Sequence, residues 1–182
     1  MAKGNFHKCL TVILRHEGGF VNHPADPGGA TKYGITQRTL KRWRGKPVSV
    51  NDVRRLTRRE AGEIYHAWYW RPIWGDDLPA GVDLAVFDYA VNSGFKRAVK
   101  ALQKVVAAKA DGYVGPKTLA AVRRTGAEAV IRALCRRRLS WLRRLRTWRT
   151  FGRGWRHRVM ETERVALTMV RHARELEECT CA

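Results

Sequence analysis

Residues 15–37 read RHEGGFVNHPADPGGATKYGITQ. Ahead of this stretch, Phe6, Cys9, Leu10, Ile13 and Leu14 recur at helical spacing, and Gly18-Gly19 predicts a helix stop just after Glu17. The residues that follow are dense in Pro, Gly, Asn and Asp, the composition of turns and hairpins. Thr31, Tyr33 and Ile35 alternate as a short strand would. The expected local structure is therefore an acid, Glu17, on a helix end, then a glycine-rich turn bearing a second acid, Asp26, and a hydroxyl, Thr31.

Outward from there the chain reads as helices. Thr36 is placed to cap a helix through Trp43, stopped by Gly45 and Pro47, and Ser49 to cap a short one. Thr57 and Glu60 have capping-box spacing before a helix through Trp70. Pro72 and Pro79 bracket a loop. A helix follows from about Val82 to Asn92, with Leu84, Phe87 and Val91 on one face, and then one carrying Ala98, Leu102, Val105 and Val106. Pro116 opens another. The last third is helical, with expected breaks at Gly152 and Gly154. The fold class expected is mainly α, with one small β-hairpin. A first lobe over residues 1–80 carries the motif, and a helical lobe over 81–182 packs with it as one globular unit.

Charge is the compositional outlier. The 182 residues hold 36 Lys and Arg against 16 Asp and Glu, a net of +20, which attracts polyanions by counterion release and long-range steering. Nucleic acid, anionic membranes and envelope phosphates are candidate partners on this ground. The charge is concentrated: Arg123–Arg158 contains 13 Arg and one acid, Glu128. Cys9 and Cys135 fall within helical patterns and read as small core residues, Cys179 and Cys181 as an odd tail pair, and a reducing compartment is the expectation. The start of the chain lacks the apolar run and cleavage site of a signal peptide. If the target lies outside the cytoplasm, delivery by another agent is the expected route.

Cleaving a glycosidic bond takes a carboxylic acid still protonated near neutral pH, a state favoured by apolar surroundings and the negative end of a helix dipole. Glu17 fits that description, and the glycines after it let a substrate approach the backbone. The plain alternative is a solvated acid at a helix end. Asp26 sits in Asp-Pro-Gly-Gly, which is also a routine turn sequence. Thr31 is placed either to position a water with Asp26 or to pair across the strand. The ordered set of Glu, Asp and Thr says more than any member alone.

EGGFVNHPADPGGATKYGIT (Glu17–Thr36) resembles the signature of glycoside hydrolase family 108, the N-acetylmuramidases of phages and bacteria. The resemblance implies that Glu17, in E-G-G-[YF], is the catalytic acid. The pattern D-P-G-G-x-T-x-x-G-I matches Asp26 to Ile35. AVFDYAVNSG (Ala85–Gly94), Leu102-Gln103 and DGYVGPKTL (Asp111–Leu119) resemble the family's C-terminal, predicted peptidoglycan-binding region. The spacing Glu-x8-Asp-x4-Thr is similar to the Glu-x8-Asp-x5-Thr of phage-type lysozymes. The resemblance thus implies a lysozyme-like helical fold with the hairpin beside an active-site cleft. It also implies an endolysin-type, bacteriolytic muramidase that cuts the β-1,4 bond between N-acetylmuramic acid and N-acetylglucosamine.

Tyr33, Tyr89 and Asn92 are candidates for substrate contact, Asn92 equally for a helix stop. Trp68, Tyr69, Trp70 and Trp74 read as core before sugar platforms. The histidines have no metal spacing, so neither metal nor other cofactor is expected. Trp141, Trp148 and Trp155 recur every seven residues among Arg. That pattern is an apolar stripe for core packing whose basic outer face suits anionic envelope lipids or lipopolysaccharide. A monomer acting on bacterial peptidoglycan, with no specific nucleic acid, is the expected state. The alternatives are a lytic transglycosylase on the same substrate, or a cationic nucleic-acid- or envelope-binding helical protein without activity.

Overall fold

A computed structural model describes residues 4–22 and 29–180. Among them it is mainly α, with nine α-helices and one two-stranded antiparallel sheet. The chain divides into two compact units: residues 10–68, and residues up to Cys9 together with Tyr69 onward.

Helix α1 spans Phe6–Glu17 and ends at Gly18, whose φ of +69° is open to glycine at little steric cost. In the first unit, strands β1 (Thr31–Lys32) and β2 (Ile35–Thr36) pair as a hairpin, Thr31 opposite Thr36 and Lys32 opposite Ile35. The alternation of Thr31, Tyr33 and Ile35 is therefore not one strand. Tyr33 (φ +52°) and Gly34 (φ +73°) form the two-residue turn, both left-handed as a tight twisted hairpin requires. Val21 adds a bridge to the outer side of Thr31.

Helices α2 (Gln37–Arg44), α3 (Val50–Arg54) and α4 (Arg58–Tyr65) follow, capped by Thr36, Ser49 and Thr57. Ser49 and Asp52 form the reciprocal capping box. Thr57 accepts from the Glu60 N–H, but the Glu60 carboxylate turns to Arg44, which donates to it twice at 2.8 Å and to Asp52 at 3.3 Å. One guanidinium thus ties three helices together over a core of Leu10, Ile13, Ile35, Leu40, Leu56 and Ile64. Beyond α4 the helix loosens into a π-turn over His66–Trp70.

The second unit is built around α5 (Val82–Ser93), whose residues from Val82 to Ala90 are all buried. The expected single apolar face of this helix is instead a surface buried all round, as a central helix demands, with Asp83 and Asp88 among the buried residues. Helices α6 (Phe95–Val105), α7 (Pro116–Thr125), α8 (Ala127–Leu142) and α9 (Trp148–Thr180) complete the unit. Asp88 on α5 is fully buried. It accepts from Arg138 of α8 and from Arg158 (2.8 Å) and Thr162 (3.2 Å) of α9, so one carboxylate fastens both neighbouring helices. Burial would raise its pKa, but the two guanidiniums override that and hold it down at about 2.

Gly152 and Gly154 do not break the last helix; α9 runs through both. A Cβ on Gly152 would come 2.6 Å from the Trp148 indole, so this glycine makes room for a ring rather than stopping a helix. The break falls at residues 143–147, where the chain turns between α8 and α9. Trp141 and Trp148 therefore stand on different helices, and the seven-residue spacing does not form one stripe.

Cys9 and Cys135 are buried core residues. Burial raises both thiols, Cys135 to about 12. Among the described residues no helix is long and apolar enough to cross a membrane.

Candidate active site

Gln103, buried on α6, organises the DGYVGPKTL loop. Its amide nitrogen donates to Asp111 Oδ1 (2.8 Å) and the Tyr113 carbonyl (2.9 Å), and its oxygen accepts from the Gly112 N–H (2.9 Å). The Leu102-Gln103 and DGYVGPKTL motifs are thus one structural device. Asp111 is held below the usual carboxylate range by the hydrogen bonds it accepts, from the Gln103 amide first and then from the Tyr113 N–H at 2.9 Å.

The motif of residues 17–36 makes a different kind of site. Glu17, half-buried, is the last residue of α1. Its carboxyl reaches the hairpin turn: a Cβ on Gly34 would lie 2.6 Å from Glu17 Oε2 and 2.6 Å from the Tyr65 hydroxyl. The Tyr65 hydroxyl donates to the Tyr33 carbonyl at 2.9 Å. Tyr65 is itself almost wholly buried on α4. So the helix end, the hairpin turn and the phenol of α4 converge, and only a glycine at position 34 leaves room for the acid to settle on the backbone.

Neighbouring contacts fix the hairpin. Lys32 Nζ donates to the Arg54 carbonyl at 2.7 Å, and the Arg54 guanidinium lies 4.6 Å from the Phe20 ring. Thr31 exchanges backbone hydrogen bonds with Val21 at 2.8 Å in each direction, and its hydroxyl donates to the Gly29 carbonyl at 3.2 Å. These contacts fix the hairpin against α3 and the Phe20-Val21 segment.

Glu17, Thr31 and Tyr33 accordingly belong to one unit. Asp26 lies outside the described residues. Tyr89 and Asn92 belong to the other unit. Tyr89 is buried on α5, with the Arg138 guanidinium 5.2 Å from its ring and Trp141 at 6.3 Å. Asn92 is exposed near the end of α5, where its side-chain oxygen accepts from the Ser93 hydroxyl at 3.1 Å. Of the tryptophans, Trp70 is fully buried against Phe6 and Phe87, and its indole N–H donates to Asp76. Trp74 is 41 % exposed.

Sequence reasoning missed Tyr65. Its signal was present in principle: a tyrosine on the apolar stripe of α4, beside buried Ala61 and Ile64, must find a partner for its hydroxyl. Which partner it finds is a tertiary matter.

The family described as Glycosyl hydrolase 108 matches residues 10–94, and the Predicted Peptidoglycan domain matches residues 97–160. No curated protein matches the chain. Among solved structures it is similar to that titled "Structure of Brucella abortus SagA", at 50% identity and a TM-score of 0.84, covering 92% of this chain and 97% of that one. The chain belongs to glycosyl hydrolase family 108, and is a peptidoglycan-hydrolysing enzyme with a peptidoglycan-binding domain on its C-terminal side.

Proposed function

We propose that this enzyme is an endolysin-type muramidase, cutting the β-1,4 bond between N-acetylmuramic acid and N-acetylglucosamine by general-acid catalysis from Glu17. The observation that carries this reading is the seating of the Glu17 carboxyl on the Gly34 backbone beside the Tyr65 hydroxyl. Glu17 protonates the leaving glycosidic oxygen as the bond to the anomeric carbon breaks. A water attacks that carbon, with Asp26 and Thr31 holding it and Asp26 accepting its proton. Tyr33, at the turn next to Gly34, contributes a ring for sugar contact.

The test is mass spectrometry of fragments released from purified peptidoglycan by wild type and by Glu17→Gln. Reducing N-acetylmuramic acid ends, lost in the variant, are the expected result. Anhydro ends would identify a lytic transglycosylase instead. No release by either protein would leave a wall-binding protein without activity.

A second contact of the proposal is with anionic envelope lipid or lipopolysaccharide. Phe151, 53 % exposed, and Trp148 pack at a tilt against Trp155 on the first turns of α9, among Arg149, Arg153 and Arg156. Aromatic rings flanked by arginines suit an anionic interface. Phe151→Ser is expected to weaken co-sedimentation with anionic vesicles severalfold; unchanged co-sedimentation would remove this contact from the proposal.

A further inference from the structure

A groove of about 440 Å³ runs between α6 and α8 in the second unit. Lys96, Arg97, Lys100 and Lys104 line it from α6, Arg137 and Arg144 from α8 and the turn after it. All six are exposed, and no acid is among the groove's lining residues. Its floor is aromatic, with the rings of Tyr89 and Trp141 6.3 Å apart. Arg97 is held in place over this floor, its guanidinium 4.4 Å from the Trp141 ring and its Nη1 donating to the Ser93 carbonyl at 3.0 Å.

Six like charges gathered around one concavity repel one another, and nothing in the packing of the helices requires them there. An anionic ligand relieves that repulsion. Its shape is limited by the groove. A bilayer is flat and does not reach a recessed floor, and a nucleic-acid duplex is too wide for a groove of this volume. A short linear chain fits. Lys96, Lys100 and Lys104 are four residues apart on a helix, a row about 12 Å long. Four extended peptide residues span roughly 13 Å.

We propose that this groove binds the acidic stem peptide of peptidoglycan through its carboxylates. The inference rests on the assignment of peptidoglycan as substrate. It says which part of that polymer the second unit reads. The repeating sugars of a peptide-bearing glycan carry no net charge, whereas the stem peptide carries carboxylates on its D-glutamate, diamino acid and terminal D-alanine residues. Charge complementarity therefore selects the peptide. Arg97 to Arg144 also fall within the part of the chain matched by the Predicted Peptidoglycan domain. The arginines grip carboxylates in their planar fork, the lysines add point charges along the row, and the half-buried Trp141 ring packs against the peptide's methyl and methylene groups.

The experiment is calorimetric titration of the full chain with the tetrapeptide L-Ala-γ-D-Glu-meso-diaminopimelate-D-Ala, and with the same peptide bearing amides in place of its carboxylates. Binding of the free-acid peptide should weaken about tenfold in Arg97→Gln/Arg137→Gln, and by a similar factor on amidation. The control variant Lys109→Gln/Lys117→Gln removes the same charge outside the groove and should change binding by less than about twofold. Circular dichroism confirms that both variants fold. Equal binding of the amidated peptide overturns the proposal, as does equal weakening by both double variants. So does unchanged peptide binding by the groove variant while anionic vesicles or a DNA oligonucleotide lose affinity for that variant alone. The free peptide holds no glycosidic bond. Failure to bind it would sink this proposal alone, and failure to release sugars would sink the muramidase reading alone.

Discussion

The carboxyl of Glu17 and the α-carbon of Gly34 are in such close approach that a Cβ on Gly34 would lie 2.6 Å from Glu17 Oε2. Two demands fall on the same glycine. Its φ of +73° closes the hairpin, and its missing side chain admits both the acid and the Tyr65 hydroxyl. Gly34→Ala meets both penalties: a left-handed backbone costing about 1 kcal/mol, and a methyl group that displaces the acid. Peptidoglycan hydrolysis is expected to fall about a hundredfold with a loss of only a few degrees in melting temperature. A variant that kept most of its activity would show that the approach of Glu17 to this turn is not part of catalysis.

Tyr65 separates positioning from chemistry. Tyr65→Phe keeps the buried ring and deletes the hydroxyl that donates to the Tyr33 carbonyl. Left without that donor, the turn should lose about 1 kcal/mol of stability and hold Glu17 less firmly. The expected outcome in turbidity assays on purified wall is a lower kcat with KM little changed, and a pH profile of unchanged shape. A shifted acidic or basic limb would mean that Tyr65 itself exchanges protons with the reaction.

Much of this site was legible in the sequence, because local rules decide it. Gly18-Gly19 ends α1 after Glu17, and Thr36, Ser49 and Thr57 cap the helices they precede. What was not legible depends on which elements meet. The alternation of Thr31, Tyr33 and Ile35 reads equally as a strand or as two half-strands around a turn, and the left-handed Tyr33-Gly34 pair decides for the second. Gly152 and Gly154 carry a stop signal, yet α9 runs through both, and Gly152 is packed against Trp148. Asp83 and Asp88 carry no local signal of burial, which follows only from the packing of other helices around α5.

Asp88 makes one of those acids a structural requirement. Arg138→Met leaves its carboxylate fully buried with Arg158 and Thr162 but without its more buried cation. Breaking a buried pair on one side costs about 3–5 kcal/mol. Urea denaturation should show a loss of that order. Asp88→Asn/Arg138→Met, which removes charge from both sides, should recover part of it. If the double variant is no more stable than Arg138→Met, the residual charge on Asp88 is not the source of the cost.

Asp83 makes the opposite contribution to stability. It is fully buried at the start of α5, and burial raises its pKa from 3.8 to about 6, although Asn5 (2.9 Å) and the Leu84 N–H (2.6 Å) donate to it. The folded state therefore holds a proton that the unfolded chain gives up. As pH climbs from 3.8 to about 6, stability falls by up to roughly 3 kcal/mol and then levels off. Asp88, with its pKa lowered from 3.8 to about 2, acts in the other sense: its stabilisation is complete above 3.8 and is lost as pH falls through about 2. From these two groups, stability is greatest near pH 4 and declines on either side. Asp83→Asn removes the upper decline without removing the contacts. The amide oxygen takes the Leu84 N–H, and the amide nitrogen donates to Asn5 once that side chain turns over. Melting temperatures measured from pH 4 to 8 should fall for wild type between pH 4 and 6 and stay level across that range for Asp83→Asn, which should be the more stable protein at pH 7. The same fall in both proteins would place the titration elsewhere.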